Sequence, residues 1–162
     1  MDDATPGAGR LAGRDRELAA LRRWLAQARA AHGRLVVLAG PPGTGKTRLA
    51  EELAEEGRRS GQRVLSGRAV QEEGVPPLWP WRRILGKVGF GHGLGGAGVE
   101  PGGAGFDDPA GARFRAAAAI ADALRSAVGP AGLLVVLEDM HWADHASLFV
   151  LRPAPKATRC TW

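Results

Sequence analysis

Cysteine, lysine and long apolar runs are scarce in this chain of 162 residues, and each shortage closes off a class of protein. No run of about 18 apolar residues occurs, so no segment is expected to cross a bilayer as a helix. The opening residues, MDDATPGAGR, are acidic and carry no hydrophobic core, which does not match a secretory signal. A single cysteine, Cys160, excludes an intramolecular disulfide and agrees with a reducing, cytoplasmic setting. Lys46, Lys87 and Lys156 are the only lysines; the net charge of +5 is carried by arginine. Alanine and glycine are abundant beside it, the mixture that GC-rich coding produces. Without a clustered basic stripe or interleaved aromatics, direct nucleic-acid binding by this segment is not expected. No internal repeat occurs either.

What is present is an ordinary globular share of apolar residues, 44%, arranged with two different periods. Residues 1–9 read as a disordered lead. Over residues 15–31, Leu18, Leu21, Leu25 and Ala28 recur at helical spacing, with Asp15 favouring the helix start and Gly33 ending it. Residues 35–39 are a continuous apolar strand, and residues 46–59 a helix with Leu49 and Leu53 on one face, broken at Ser60-Gly61. A short second strand is predicted from Arg63. At residues 76–81, PPLWPW, the prolines are expected to forbid regular helix, with Trp79 and Trp81 packed on the core. Residues 86–112 are glycine-dominated and predicted to be a flexible loop; His92 within it has no partner pattern. A helix is predicted over 113–128, with Phe114, Ala117, Ala121, Leu124 and Val128 on its inner face, stopped by Gly129-Pro130. Residues 133–137 form a third, wholly apolar strand, as suits a parallel sheet covered on both faces. Strands alternating with helices point to an α/β architecture with right-handed crossovers.

The most informative stretch lies between the first strand and its helix. Gly40-Pro41-Pro42-Gly43-Thr44-Gly45-Lys46-Thr47 fits the pattern G-x-x-x-x-G-K-S/T, which cradles the phosphates of a nucleoside triphosphate. Glycines at 40, 43 and 45 permit backbone conformations that a Cβ would oppose, so successive N–H groups turn inward. Lys46 brings a mobile ammonium to the phosphate oxygens, Thr47 offers a hydroxyl to Mg²⁺, and the helix start favours an anion.

A second feature follows the third strand, where Glu138 and Asp139 stand directly after the apolar run. Mg²⁺ needs hard oxygen ligands and an attacking water needs orienting, so Glu138 is placed at the metal and Asp139 at the water. In open parallel sheets ligands sit at the carboxyl ends of strands, which would aim strands one and three at one crevice. The competing assignment makes Asp139 or Asp144 a cap for a helix that includes residues 146–151.

Three boxes together carry a resemblance: residues 11–18 (LAGRDREL), 40–48 (GPPGTGKTR) and 137–144 (LEDMHWAD), with 76–81 as a looser fourth. Over residues 10–151 the chain resembles the ATPase domain of bacterial signal-transduction P-loop ATPases of the AAA/STAND type, an origin-recognition-like AAA domain. Such domains occur in large LuxR-type and related actinobacterial transcriptional regulators and beside some cyclases. The resemblance implies a three-layer P-loop NTPase sandwich around a parallel sheet, binding ATP and Mg²⁺. It also implies that Gly13 and Arg14 lie on the adenine and ribose side. Lys46, Thr47 and Arg48 would then serve the phosphates, and Thr47, Glu138 and Asp139 the metal and the catalytic water. Glu138 stands where that family more usually carries Asp. ATP and ADP would be the exchanged ligands, and an effector domain outside this chain the partner.

Beyond residue 151 the pattern breaks: residues 152–162, RPAPKATRCTW, have two prolines close together and no apolar period. The expectation is a tail foreign to the family, as in a truncated or frameshifted product. The later strands and lid would be missing and the sheet would have an internal gap. The function expected is an ATP-binding module with slow hydrolysis, used as a signalling switch. The alternatives are a P-loop kinase of a small acceptor and a non-catalytic remnant.

Overall fold

The computed structural model describes residues 13–30, 33–90, 109–152 and 157–161. The proposed lead at 1–9 and most of the glycine-rich stretch, including His92, lie outside them. The element order is α1 (Asp15–Ala30), β1 (Leu35–Ala39), α2 (Lys46–Arg59), β2 (Arg63–Arg68), α3 (Trp79–Lys87), α4 (Pro109–Ser126), β3 (Leu133–Glu138), a 3-10 turn (Met140–Trp142), α5 (His145–Phe149) and β4 (Ala157–Thr161). The strands form two parallel pairs. β1 pairs with β4 from Leu35↔Ala157 to Ala39↔Thr161, and β2 with β3 from Arg63↔Leu133 to Arg68↔Glu138. This is a mixed α/β architecture compatible with an incomplete P-loop NTPase fold.

Helices cover two faces. Leu18 and Leu21 of α1 meet Leu49 and Leu53 of α2, with Val36, Leu38 and Leu134 packed against them. The other cluster joins Trp81, Ile84 and Leu85 of α3 to Ala116, Ile120 and Ala123 of α4, with Leu133, Val135 and Leu137 packed against it. Leu134 thus serves one cluster and its neighbours the other, the alternation a strand imposes when both faces are covered. Gly57, in the last turn of α2, sits so close to the starts of β2 and β3 that a Cβ would stand 3.3 Å from both Val64 and Leu134. Helix α2 therefore runs back against these strands. Fourteen helical residues and six strand residues each span about 20 Å, so Lys46 lies toward the end where Arg68 and Glu138 stop.

Four expectations are corrected. The prolines of 76–81 do not prevent a helix: α3 starts at Trp79 with Pro80 in its first turn, where the missing N–H has no helical partner to lose. Trp81 is buried as expected, whereas Trp79 is only half-buried. The loop assigned to 86–112 is shorter, because Gly86 and Lys87 belong to α3 and Pro109 onward to α4. The inner face of α4 is set by Ala116, Ile120 and Ala123, followed by Ala127, while Phe114 is 67% and Val128 54% exposed. A helix this rich in alanine offers several competing apolar stripes, and packing against α3 selects among them. Finally, a strand does follow residue 151: β4 pairs with β1 through backbone hydrogen bonds. Satisfying the N–H and C=O groups along an open strand edge outweighs a weak apolar pattern.

Candidate functional site

The loop from β1 to α2 is shaped by Gly43 and Gly45, whose φ values of 77° and 84° belong to the left-handed region that disfavours side chains. Gly45 occupies the cap of α2 and supplies no side-chain acceptor, and the first turn carries no acidic residue. Its leading N–H groups are left without a side-chain cap, and the helix dipole makes that end electropositive. Lys46 folds over the loop, donating from Nζ to the carbonyl oxygens of Gly40 at 2.9 Å and Pro41 at 2.7 Å. Thr44 Oγ1 donates to the same Pro41 carbonyl at 2.9 Å. Pro42 is exposed, Thr47 presents its side chain to solvent and Arg48 is half-buried in the first turn of α2. Amides, an ammonium and a hydroxyl at one helix start form a donor set that suits a polyphosphate and little else.

The residues ahead of α1 reach this loop. Arg14 donates from Nη2 to the Thr44 carbonyl at 2.9 Å and from Nη1 to Glu17 at 2.9 Å. Gly13, with φ 78°, forms the turn that precedes it. The Glu17 carboxyl is held below its ordinary pKa, first by its own backbone amide and then by Arg14.

Glu138 ends β3, and its carbonyl accepts from Ala69 N at 3.1 Å. Asp139 follows with φ 52°, and its carboxylate accepts from Arg68 Nε at 2.6 Å. The Arg68 guanidinium is pushed above its ordinary pKa, chiefly by that hydrogen bond and charge, and further by Glu138. Asp139 does not cap the 3-10 turn with its side chain. Capping belongs to Asp144, which accepts from Ser147 N at 3.0 Å, from Ser147 Oγ at 2.5 Å and from Leu78 N at 3.1 Å. No hydrogen bond or ion pair among the described residues joins Glu138 or Asp139 to the loop, although α2 brings both sets toward one end of the strands. Arg68 was not among the expected site residues. The signal lay in the β2–β3 register, which sets it opposite Glu138.

Among the described residues no group of three His, Cys, Asp or Glu side chains could hold a metal ion. A hard cation here would share the Thr47 hydroxyl and a carboxylate with phosphate oxygens, the usual arrangement for Mg²⁺. Among the same residues no helix is long and apolar enough to cross a membrane.

A parallel α/β core with a glycine-rich, lysine-bearing turn ahead of a helix defines the nucleotide-binding class. Within it, the model of the AAA ATPase domain matches residues 10–158, and the chain belongs to that family. Searches of the curated proteins and of the solved structures found no match. Family membership suggests nucleotide binding with ATPase activity.

Proposed function

We propose that the chain binds ATP together with Mg²⁺ and serves as a slowly hydrolysing switch module in a larger, cytoplasmic transcriptional regulator. The observation that carries this is the Lys46 ammonium held over the loop by two carbonyls, beside the uncapped first turn of α2. Arriving phosphate oxygens would replace weak neutral acceptors with charged ones, so Lys46 would exchange the carbonyls for the β and γ phosphates. The N–H groups at 43–47 would cradle the phosphates, with Thr47 turned toward the metal. Gly13 and Arg14 would border the adenine and ribose, and Arg14 would keep the loop in register through its bond to Thr44. Bound Mg²⁺ would supply neutralisation of phosphate charge. Glu138 would face it, and Asp139 would orient water once released from Arg68. The two nucleotide states would then favour different arrangements of an attached effector domain.

Titration with a fluorescent ATP analogue, with and without Mg²⁺, tests the proposal. Saturable binding that Lys46→Ala weakens by about tenfold or more is expected, from the worth of a charge-assisted hydrogen bond. Equal affinity of folded wild type and variant would reject it. Transfer of the γ-phosphoryl group to an added small acceptor, in place of its release as free phosphate, would replace the switch with a kinase.

A further inference from the structure

The segment leading from β2 to α3 and the turn after β3 line a half-open cavity of about 170 Å³ that the nucleotide function leaves unused. Its walls include Val75, Pro76, Trp79 and Trp142, and Glu72 also lines it. A more open shelf of about 470 Å³ shares Glu72 and Trp142 and adds Glu73. Trp142 keeps 44% of its surface exposed. Neither glutamate has a hydrogen-bond or ion-pair partner among the described residues. Residues 69–78 contain these two acids and no basic residue, within a chain of net charge +5.

We propose that this cavity receives the guanidinium of an arginine on a peptide segment of a partner protein. Charge argues first. Two unpaired carboxylates repel a polyphosphate and attract a cation, while Asp144 beside them is already committed to Leu78 and Ser147. The rings supply the second argument, because indole faces attract cations: Arg83 of this chain already lies over Trp79, its Cζ 5.9 Å from the ring centroid, and Trp142 is the ring left open to an incoming cation. Arginine is preferred to lysine because its planar fork pairs with carboxylates, stacks on rings and sheds water more readily. Val75 and Pro76 offer apolar contact for its methylene stem.

The test titrates the folded protein with blocked Gly-Arg-Gly and Gly-Lys-Gly peptides into the millimolar range, reading tryptophan emission. Saturable binding of the arginine peptide is expected, about threefold tighter than the lysine peptide. The Glu72→Gln/Glu73→Gln double variant, which keeps every tryptophan, should weaken it by about fivefold and remove most of its salt dependence. That variant should bind the ATP analogue as wild type does, so failure here is distinguishable from failure of the nucleotide site. Equal peptide binding by variant and wild type, or no saturable change, overturns the proposal. Stacking of free adenosine that is indifferent to the double variant would overturn it as well, by assigning the rings to a base.

Discussion

Arg68 at the end of β2 donates to the carboxylate of Asp139, the residue that follows β3, at 2.6 Å. The pair exists because parallel register sets Arg68 opposite Glu138, and because Asp139 adopts the left-handed conformation at φ 52°. Aspartate tolerates that conformation better than most residues. With side chains 63% and 33% exposed, the ion pair contributes little to stability. Its importance is positional: it directs one of the two acids at the strand ends toward β2.

Replacing Arg68 should therefore alter ion binding more than folding. Arg68→Gln removes a cation facing Asp139 and Glu138, leaving a more negative site. With nucleotide bound, the Mg²⁺ concentration needed for half-saturation should fall by about threefold, the scale of an exposed charge pair. The urea midpoint should stay close to wild type. A Mg²⁺ titration of analogue fluorescence checks this, and an unchanged Mg²⁺ requirement would separate the Arg68 pair from the metal site.

Asp144 has the opposite character. Its carboxylate caps α5 through Ser147 and also holds the N–H of Leu78, a left-handed residue with φ 63° at the start of α3. Trp81 Nε1 donates to the Ser147 carbonyl at 3.0 Å, so the start of α5 and the buried face of α3 are locked together. Asp144→Ala leaves buried donors unpaired and should cost about 2 kcal/mol, read from urea unfolding. Asp144→Asn keeps an acceptor oxygen and should recover most of it.

Close approach limits Gly67. A Cβ there would press into the Pro80 carbonyl oxygen and stand 3.0 Å from Ile84 Cδ1, which is fully buried. Helix α3 lies directly on β2 at this point, and neither backbone has room to give. Gly67→Ala should destabilise the fold by about 2 kcal/mol, the cost of overpacking, and lower the thermal midpoint. Gly86→Ala, where a Cβ would meet nothing within 4 Å, is the matched control within α3.

The features legible in the sequence were those fixed locally. Helix α2 begins at Lys46 and ends at Arg59 as its flanking glycines and Ser60 predict, and β1 follows its apolar run residue for residue. Non-local features were not legible. Strand β4 depends on an edge presented by β1, more than a hundred residues earlier in the chain. The face of α4 depends on which of several alanine stripes α3 accepts. The Arg68–Asp139 pair requires the β2–β3 register, which neither strand contains alone. The start of α3 is a different case: Pro80 occupies the first turn, where proline is tolerated, and the three prolines of residues 76–81 do not by themselves mark that boundary.

Acid should loosen the contact between α1 and the phosphate loop before it unfolds the core. The Glu17 carboxyl lies below its ordinary pKa of 4.5, held there by its own backbone amide and by Arg14. A depressed folded-state pKa means that the carboxylate stabilises the fold fully above the unfolded value. That contribution is lost as pH falls from about 4.5 through the folded pKa, because the unfolded chain takes up the proton first. The stability difference between wild type and Glu17→Gln should therefore be largest at neutral pH and vanish in strong acid. Arg14 also holds the Thr44 carbonyl, so protonating Glu17 frees one end of the side chain that keeps the loop in register. Nucleotide affinity should fall over the same acid window in wild type and less steeply in Glu17→Gln. Parallel thermal melts and analogue titrations across that window measure both effects, and matching pH profiles for the two proteins would remove Glu17 from the account.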